Sequence, residues 1–179
     1  MAMLIITVLA ASGAWLMLYF IQSSIFIPNQ LNMNMLASDA LRIMIEGDSR
    51  AEGLRFSRAI TTANPYQVNF SYRDSGNLSH SVYYRLDTVT TPNKLYRSID
   101  SGAEANLPYY SSGTGITMSG QSGKVFSYYN ATEAATSTPA NVRRVEIILS
   151  AKSGSGLFSD WQGSSVQNSS VAVKRAAAP

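Results

Sequence analysis

The sequence contains no cysteine, and this absence removes several classes of function at once. Without thiols the chain has no disulfide framework, no thiolate metal ligand and no cysteine nucleophile. Histidine is also scarce, because His80 is the only one among 179 residues. A single histidine without cysteine gives no metal-binding spacing. We therefore expect no metal, no cofactor, and a fold held by packing alone.

Charged residues are absent from the first 38 positions, Met1 to Ser38, and all 14 basic and 11 acidic residues come later. The opening segment, MAMLIITVLAASGAWLMLYFI, is apolar almost throughout. We interpret residues 1–28 as an apolar stalk helix and residues 29–179 as one water-soluble head. A head of that length can bury a core of its own.

The stalk has three interpretations. At 1.5 Å per residue, a helix over residues 1–27 extends about 40 Å, enough to cross the roughly 30 Å of bilayer hydrocarbon. A signal peptide would have a basic leading region, which is missing here. A helix that meets lipid first and identical neighbours later would be apolar on every side. Because no charge flanks the stalk on the cytoplasmic side, we expect a removed basic leader or a processed end before Met1.

Two features interrupt the uniformity of the stalk. Gly13 lies in a run of small residues, 10–14, where helix backbones can approach closely. Pro28 has no N–H to donate and disfavours helical angles at the preceding residue. We predict a kink or a short melted stretch between Gly13 and Pro28.

The head begins with residues at helical spacing. Apolar residues recur every three or four positions, while charged residues such as Glu46, Asp48 and Glu52 fall on other faces. This pattern predicts an amphipathic helix over residues 31–62, with those charges on its solvated surface and an end before Asn64-Pro65. The apolar positions are Leu36, Ala40, Ile43, Met44, Gly47, Ala51 and Leu54.

Residues 66–175 alternate apolar and polar side chains, which is typical of strands. We predict an α+β protein in which one meandering antiparallel sheet is packed on one side by the second half of the long helix. The segment 101–123 is rich in Ser, Gly and Thr and predicts a loop. The predicted strands are Gln67–Tyr72, Ser81–Leu86, Lys94–Ile99, Val125–Tyr129, Val142–Ala151 and Ser170–Lys174.

The residues do not indicate an enzyme. His80 stands between two serines beside a turn, which predicts a loop residue with no catalytic partner. The glycines of segment 113–123 precede a strand and not a helix, so they lack the context of a phosphate-binding loop. Scattered basic residues do not indicate nucleic-acid binding.

In each pair of adjacent tyrosines, strand alternation predicts that one ring faces the core and the other is exposed. In a second interpretation, Tyr109, Tyr110, Arg85 and Arg97 are exposed and contact a neighbouring subunit, a surface or a nucleic-acid strand.

Three motifs carry a resemblance to a known family: LRIMIEGDSRAEGLRFSRAI, HSVYYRLDTVTTPNKLYRSID and VRRVEIILSA. With an apolar N-terminal helix before them, they resemble the helix, hairpin and later strand of type IV pilins. Within that superfamily they are most similar to PilW-like minor pilins and J-type pseudopilins of type II secretion. The resemblance covers most of the chain.

The resemblance implies a prepilin that is cut by a membrane peptidase and N-methylated at its new first residue, which corresponds to Met1. It implies an inner-membrane protein that an assembly machinery extracts into an extracellular filament, a fimbrium on a bacterial surface. The partners would be copies of itself or other pilins. The stalk residues assigned to the filament core are Leu4, Ile5, Val8, Leu9, Trp15, Leu16, Tyr19 and Phe20.

One departure from the family concerns the fifth position, where pilins usually have a glutamate that pairs with a neighbour's N-terminal amine. This chain has Ile5 and no acid in the stalk. A buried amine without a partner costs several kcal/mol. Either a backbone carbonyl or Thr7 takes that role, or the subunit lies at a filament tip.

Three hypotheses follow. The chain is a filament subunit, a low-copy minor pilin or pseudopilin that primes assembly, or a membrane-anchored binding domain that never polymerises.

Overall fold

A computed structural model describes residues 2–48, 52–90, 92–107, 116–153 and 164–173. In these described residues one long helix, α1, leads into nine strands, with two short 3₁₀ turns at Leu54–Phe56 and Pro139–Asn141. The elements are α1 Ala2–Glu46, β1 Ala59–Asn64, β2 Gln67–Arg73, β3 Ser79–Asp87, β4 Lys94–Ile99, β5 Ala105–Leu107, β6 Ile116–Ser119, β7 Phe126–Tyr129, β8 Arg144–Ser153 and β9 Ser164–Ala172.

Helix α1 is continuous for 45 residues and includes Pro28. A melted stretch between Gly13 and Pro28 was therefore a wrong prediction for this structure, while a kink stays a prediction. Proline removes one backbone hydrogen bond, at a cost of about 3 kcal/mol. The Ser24 hydroxyl, four residues before Pro28, donates to the carbonyl of Ile21 at 2.8 Å. The helix nevertheless continues on both sides of the proline, from Ala2 to Glu46.

The amphipathic part of the helix is shorter than predicted, because α1 ends at Glu46 and not at residue 62. Gly47 follows with φ of +86°, a left-handed conformation that commonly ends helices. Its N–H donates to the carbonyl of Ile43 at 2.9 Å. The described residues between 52 and 62 form a 3₁₀ turn and then β1. Apolar residues still recur at helical spacing after Gly47, but the backbone is no longer helical there.

The strands form two antiparallel sheets and not one meander. The first has five strands in the order β1-β2-β3-β4-β5. In the second, β8 pairs with β9 along residues 144–152, and with β6 and β7 at its two ends. The six predicted strands are present, β4 with the predicted bounds and the others with shifted bounds, the last beginning at Ser164 and not at Ser170. Strands β1, β5 and β6 were not predicted.

The core lies between the second half of α1 and the two sheets, so the α+β prediction is confirmed. Both β8 and β9 contact α1. Because strand side chains alternate, Val145, Ile147 and Leu149 share the buried face of β8. The buried residues of the helix are Met33, Leu36, Ala37, Ala40, Leu41, Ile43 and Met44.

Candidate functional site in the exposed apolar helix

The first half of α1 leaves its apolar side chains exposed. Between residues 5 and 28 every side chain is exposed except that of Ser23, which is half-buried. Trp15, for example, is 73% exposed. Soluble monomers rarely expose apolar patches larger than a few hundred Å². The stalk surface therefore requires lipid or another protein to cover it.

The predicted filament-core residues that the structure describes lie on this surface. Seven of them are exposed and share one broad face of the helix, at spacings of three and four: Ile5, Val8, Leu9, Trp15, Leu16, Tyr19 and Phe20. The other sides of the helix are apolar and exposed as well, for example at Ile6, Met17 and Leu18. Met1 and the side chain of Leu4 lie outside the described part of the chain. Because the helix is apolar on all sides, a partner that covers only one face would leave the rest in water.

The stalk has the dimensions of a membrane span. Residues 5–27 rise about 34 Å as a helix, against roughly 30 Å of bilayer hydrocarbon. In the described chain, one helix is long and apolar enough to cross a membrane, and its apolar window is not buried in the fold. An N-terminal helix of this kind can anchor the chain in a membrane.

Several polar groups of the stalk bond within the helix, which suits an apolar environment. The hydroxyl of Thr7 donates to the carbonyl of Met3 at 2.6 Å, and that of Ser12 donates to Leu9 at 2.9 Å. In hydrocarbon each unsatisfied polar group costs several kcal/mol. These side chains can therefore enter lipid or a packed helix bundle without losing their bonds.

The stalk joins the head through Gln30. The side-chain amide of Gln30 donates to the carbonyl of Ser164, and its Oε1 accepts from the N–H of Ser164 at 3.0 Å. This pair of bonds ties the helix to the first residue of β9. An exposed apolar ridge, Ile27, Leu31 and Met35, continues past this point at a spacing of four. Met35 lines a groove of about 950 Å³ along the helix.

The four residues predicted as surface contacts have different outcomes. Tyr109 and Tyr110 lie outside the described residues. Arg85 is half-buried, and its guanidinium bonds to Glu104 at 2.8 Å. Arg97 is 4% exposed, so its assignment to the surface was wrong. It lies on the inner face of β4, opposite the buried Tyr84, and cannot reach an external partner.

Arg97 forms a buried ion pair that sequence reasoning missed. Its guanidinium donates to Glu52, which is also buried and accepts from the Tyr72 hydroxyl at 3.5 Å. Glu52 had been assigned to a solvated helix surface, which was wrong because the helix ends before it. The alternation of Leu95, Arg97 and Ile99 was the signal, since it places the arginine on the core face.

His80 lies in β3 and not in a loop, which corrects the sequence prediction. Its Nδ1 is 2.6 Å from Asp100 Oδ2, and its Nε2 is 3.4 Å from Asp74 Oδ2. The ring also stacks on Tyr72, with centroids 5.2 Å apart. Both nitrogens are therefore turned towards carboxylates of this chain. Among the described residues, no group of three or more potential ligands could hold a metal ion.

The two tyrosine pairs that the structure describes follow strand alternation as predicted, and the third pair, Tyr109-Tyr110, lies outside the described residues. Tyr84 and Tyr128 are buried, while Tyr83 and Tyr129 are half-buried on the opposite faces of their strands. Burial raises the pKa of Tyr128, whose hydroxyl donates to the carbonyls of Asn64 and Gln67. The Tyr128 hydroxyl thus links β7 of the second sheet to β1 and β2 of the first.

No protein-family model, curated protein or solved structure matches this chain. The shape, a long apolar N-terminal helix on antiparallel sheets, is pilin-like.

Proposed function

We propose that this chain is a structural subunit of a type IV pilus or a pilus-like extracellular filament that polymerises through its N-terminal helix. The observation that carries the proposal is the fully exposed apolar stalk, fixed to a folded head by a continuous helix. The sequence resemblance to type IV pilins points the same way.

The proposed mechanism exchanges lipid contacts for contacts between copies. Burying a large apolar side chain from water stabilises by about 1.5 to 3 kcal/mol. Lipid tails are as apolar as leucine, so extraction from the bilayer into a helix bundle gains little from this effect. Extraction therefore requires work from a separate assembly machinery in the inner membrane. The proposal also includes a prepilin peptidase that produces Met1 as the N-methylated end, as the resemblance implies.

A second candidate is a low-copy minor pilin or pseudopilin that primes a pilus or a type II secretion filament. The observation that favours it is Ile5, which replaces the acid that would pair with a neighbour's amine. A subunit at the tip has no neighbour above it and needs no such acid.

The stalk assignment is tested with Trp15→Ala in the cells that produce the protein. Alanine is tolerated in lipid, but in a packed helix bundle it leaves a cavity whose lining loses its packing contacts. We expect the variant to accumulate in the membrane fraction and to be lost from sheared surface filaments. Leu9→Asp should also abolish assembly, since it buries an unpaired charge. The control is Val89→Asp, at a head position that is 90% exposed.

Electron microscopy of the sheared material, with mass spectrometry of the N-terminal peptide, separates the candidates. Fibres made mainly of this chain support the principal subunit, and a few copies at fibre ends support the priming role. Normal fibres from both stalk variants would contradict the core assignment. An uncut leader with all protein in the membrane would support a non-polymerising anchor.

A further inference from the structure

Three segments of the first sheet meet at His80. Asp74 lies in the β2–β3 turn, His80 is the second residue of β3, and Asp100 follows β4. The imidazole lies between the two carboxylates, with Nδ1 towards Asp100 and Nε2 towards Asp74. We propose that His80 is a pH-dependent clasp: protonated, it holds the β2–β3 turn against the β4–β5 connection, and on losing a proton it releases the β2–β3 turn.

The number of protons on the imidazole ring decides how many carboxylates it can donate to. An imidazolium donates from both nitrogens, whereas neutral imidazole has one donor and one acceptor. The protonated ring therefore satisfies both carboxylates, and the neutral ring satisfies one. At the other nitrogen a lone pair would face a carboxylate oxygen.

The two distances decide which contact is lost. The bond to Asp100 is 2.6 Å long, while the approach to Asp74 is 3.4 Å. The last proton therefore stays on Nδ1, and the contact with Asp74 becomes repulsive. Asp100 is also held to Ser81 by two further bonds of 2.8 Å, which do not depend on the ring. The asymmetry predicts that the β2–β3 turn moves and the β4–β5 connection does not.

The titratable residues of β2 that lie beside His80, Tyr72 and Arg73, have partners of their own. Arg73 donates to the side chain of Asn77 at 2.8 Å. Tyr72, which stacks on the ring, connects it to the buried pair of Glu52 and Arg97. The two aspartates are thus the charges that act directly on His80.

The pKa of His80 is raised, as expected for a ring that lies between two carboxylates. The hydrogen bond to Asp100 is the largest cause that raises the pKa of His80, and Asp74 adds to it, while desolvation opposes both. Since the folded pKa lies above the ordinary value of about 6.5, the clasp is closed below that value. It opens as the pH rises through the raised value.

Because His80 is the only histidine, ¹⁵N-histidine labelling of the full chain in detergent micelles reports on this ring alone. We expect a titration midpoint above 6.5 and a neutral ring with its proton on Nδ1. Asp74→Asn should lower the midpoint and keep this tautomer. Asp100→Asn should lower it and move the neutral proton to Nε2. Glu133→Gln, in a surface pair on the other sheet, is the control and should change neither.

Amide exchange tests the movement itself. The protection factor of Leu78, whose N–H donates to Asp74 Oδ1 at 2.8 Å, should fall above the midpoint. That of Gly102, which donates to Ile99 at 2.8 Å, should not. A midpoint at or below 6.5, a wild-type neutral ring protonated on Nε2, or equal loss at both amides would overturn the proposal.

Discussion

At the scale of single residues, the two arginines on neighbouring strands show how burial changes the value of an ion pair. Arg97 and Glu52 are 4% and 8% exposed in their side chains, whereas Arg85 and Glu104 are 35% and 32% exposed. Solvent screens the second pair, and exposed pairs typically contribute 1 kcal/mol or less. Removing one partner of a buried pair leaves a charge in the core.

Arg97→Ala is therefore expected to lower the free energy of unfolding by about 3 to 5 kcal/mol, because it leaves the Glu52 carboxylate buried without its cation. Arg85→Ala is the matched control and should cost about 1 kcal/mol or less. Urea unfolding of the full chain in one detergent, followed by circular dichroism, measures both. Equal losses would show that the Arg97 pair is no more important than a surface pair.

At the scale of elements, the end of α1 depends on two glycines. Gly47 has φ of +86°, and a Cβ there would lie 2.6 Å from the backbone nitrogen of Glu52. A Cβ on Gly53 would lie 2.2 Å from the carbonyl oxygen of Ile45. The chain after the helix thus packs against the last helical turn at distances that only glycine allows. This close return carries Glu52 into the core, where it meets Arg97.

Gly53→Ala should consequently destabilise the head by more than about 2 kcal/mol, since rigid backbone must move to make room for the Cβ. Gly47→Ala adds a left-handed strain of about 1 to 2 kcal/mol to its own clash. Thermal unfolding measures both against Gly13→Ala, whose Cβ meets nothing within 4 Å. If the three variants unfold at the same temperature, the close contact at the helix end is not required.

The same elements show what the sequence could and could not predict. Local alternation was sufficient to predict β2, β3 and β4, and to predict which ring is buried in the two described tyrosine pairs. The alternation also placed Arg97 on the same face of β4 as Leu95, but the arginine was assigned to the surface because of its charge. The helix end was missed because Gly47 was counted in an apolar face when its conformational freedom mattered more. β5 and β6 have only three and four residues, too few to show a period.

At the scale of the whole molecule, the first charged residue does not mark the point where the folded head begins. Charge begins at Asp39, but the helix already meets the head at Gln30 and enters the core at Met33. Among the described residues, those before Met33 contribute no buried apolar side chain. The division into two sheets depends on pairings between distant segments, such as β6 with the end of β8. Such pairings leave no local signal in the sequence.

A chain that begins at Asn29 should therefore fold as the head does in the full protein. Its loss in free energy of unfolding should stay within about 0.5 kcal/mol, because the removed side chains are exposed. A deeper truncation that begins at Ala37 also removes Met33 and Leu36, which are buried, and each such loss costs about 2 to 5 kcal/mol. Size-exclusion chromatography and urea unfolding compare the two truncations. If the first aggregates or unfolds as readily as the second, the stalk is part of the folding unit, and its exposed surface is not free for lipid or for other copies.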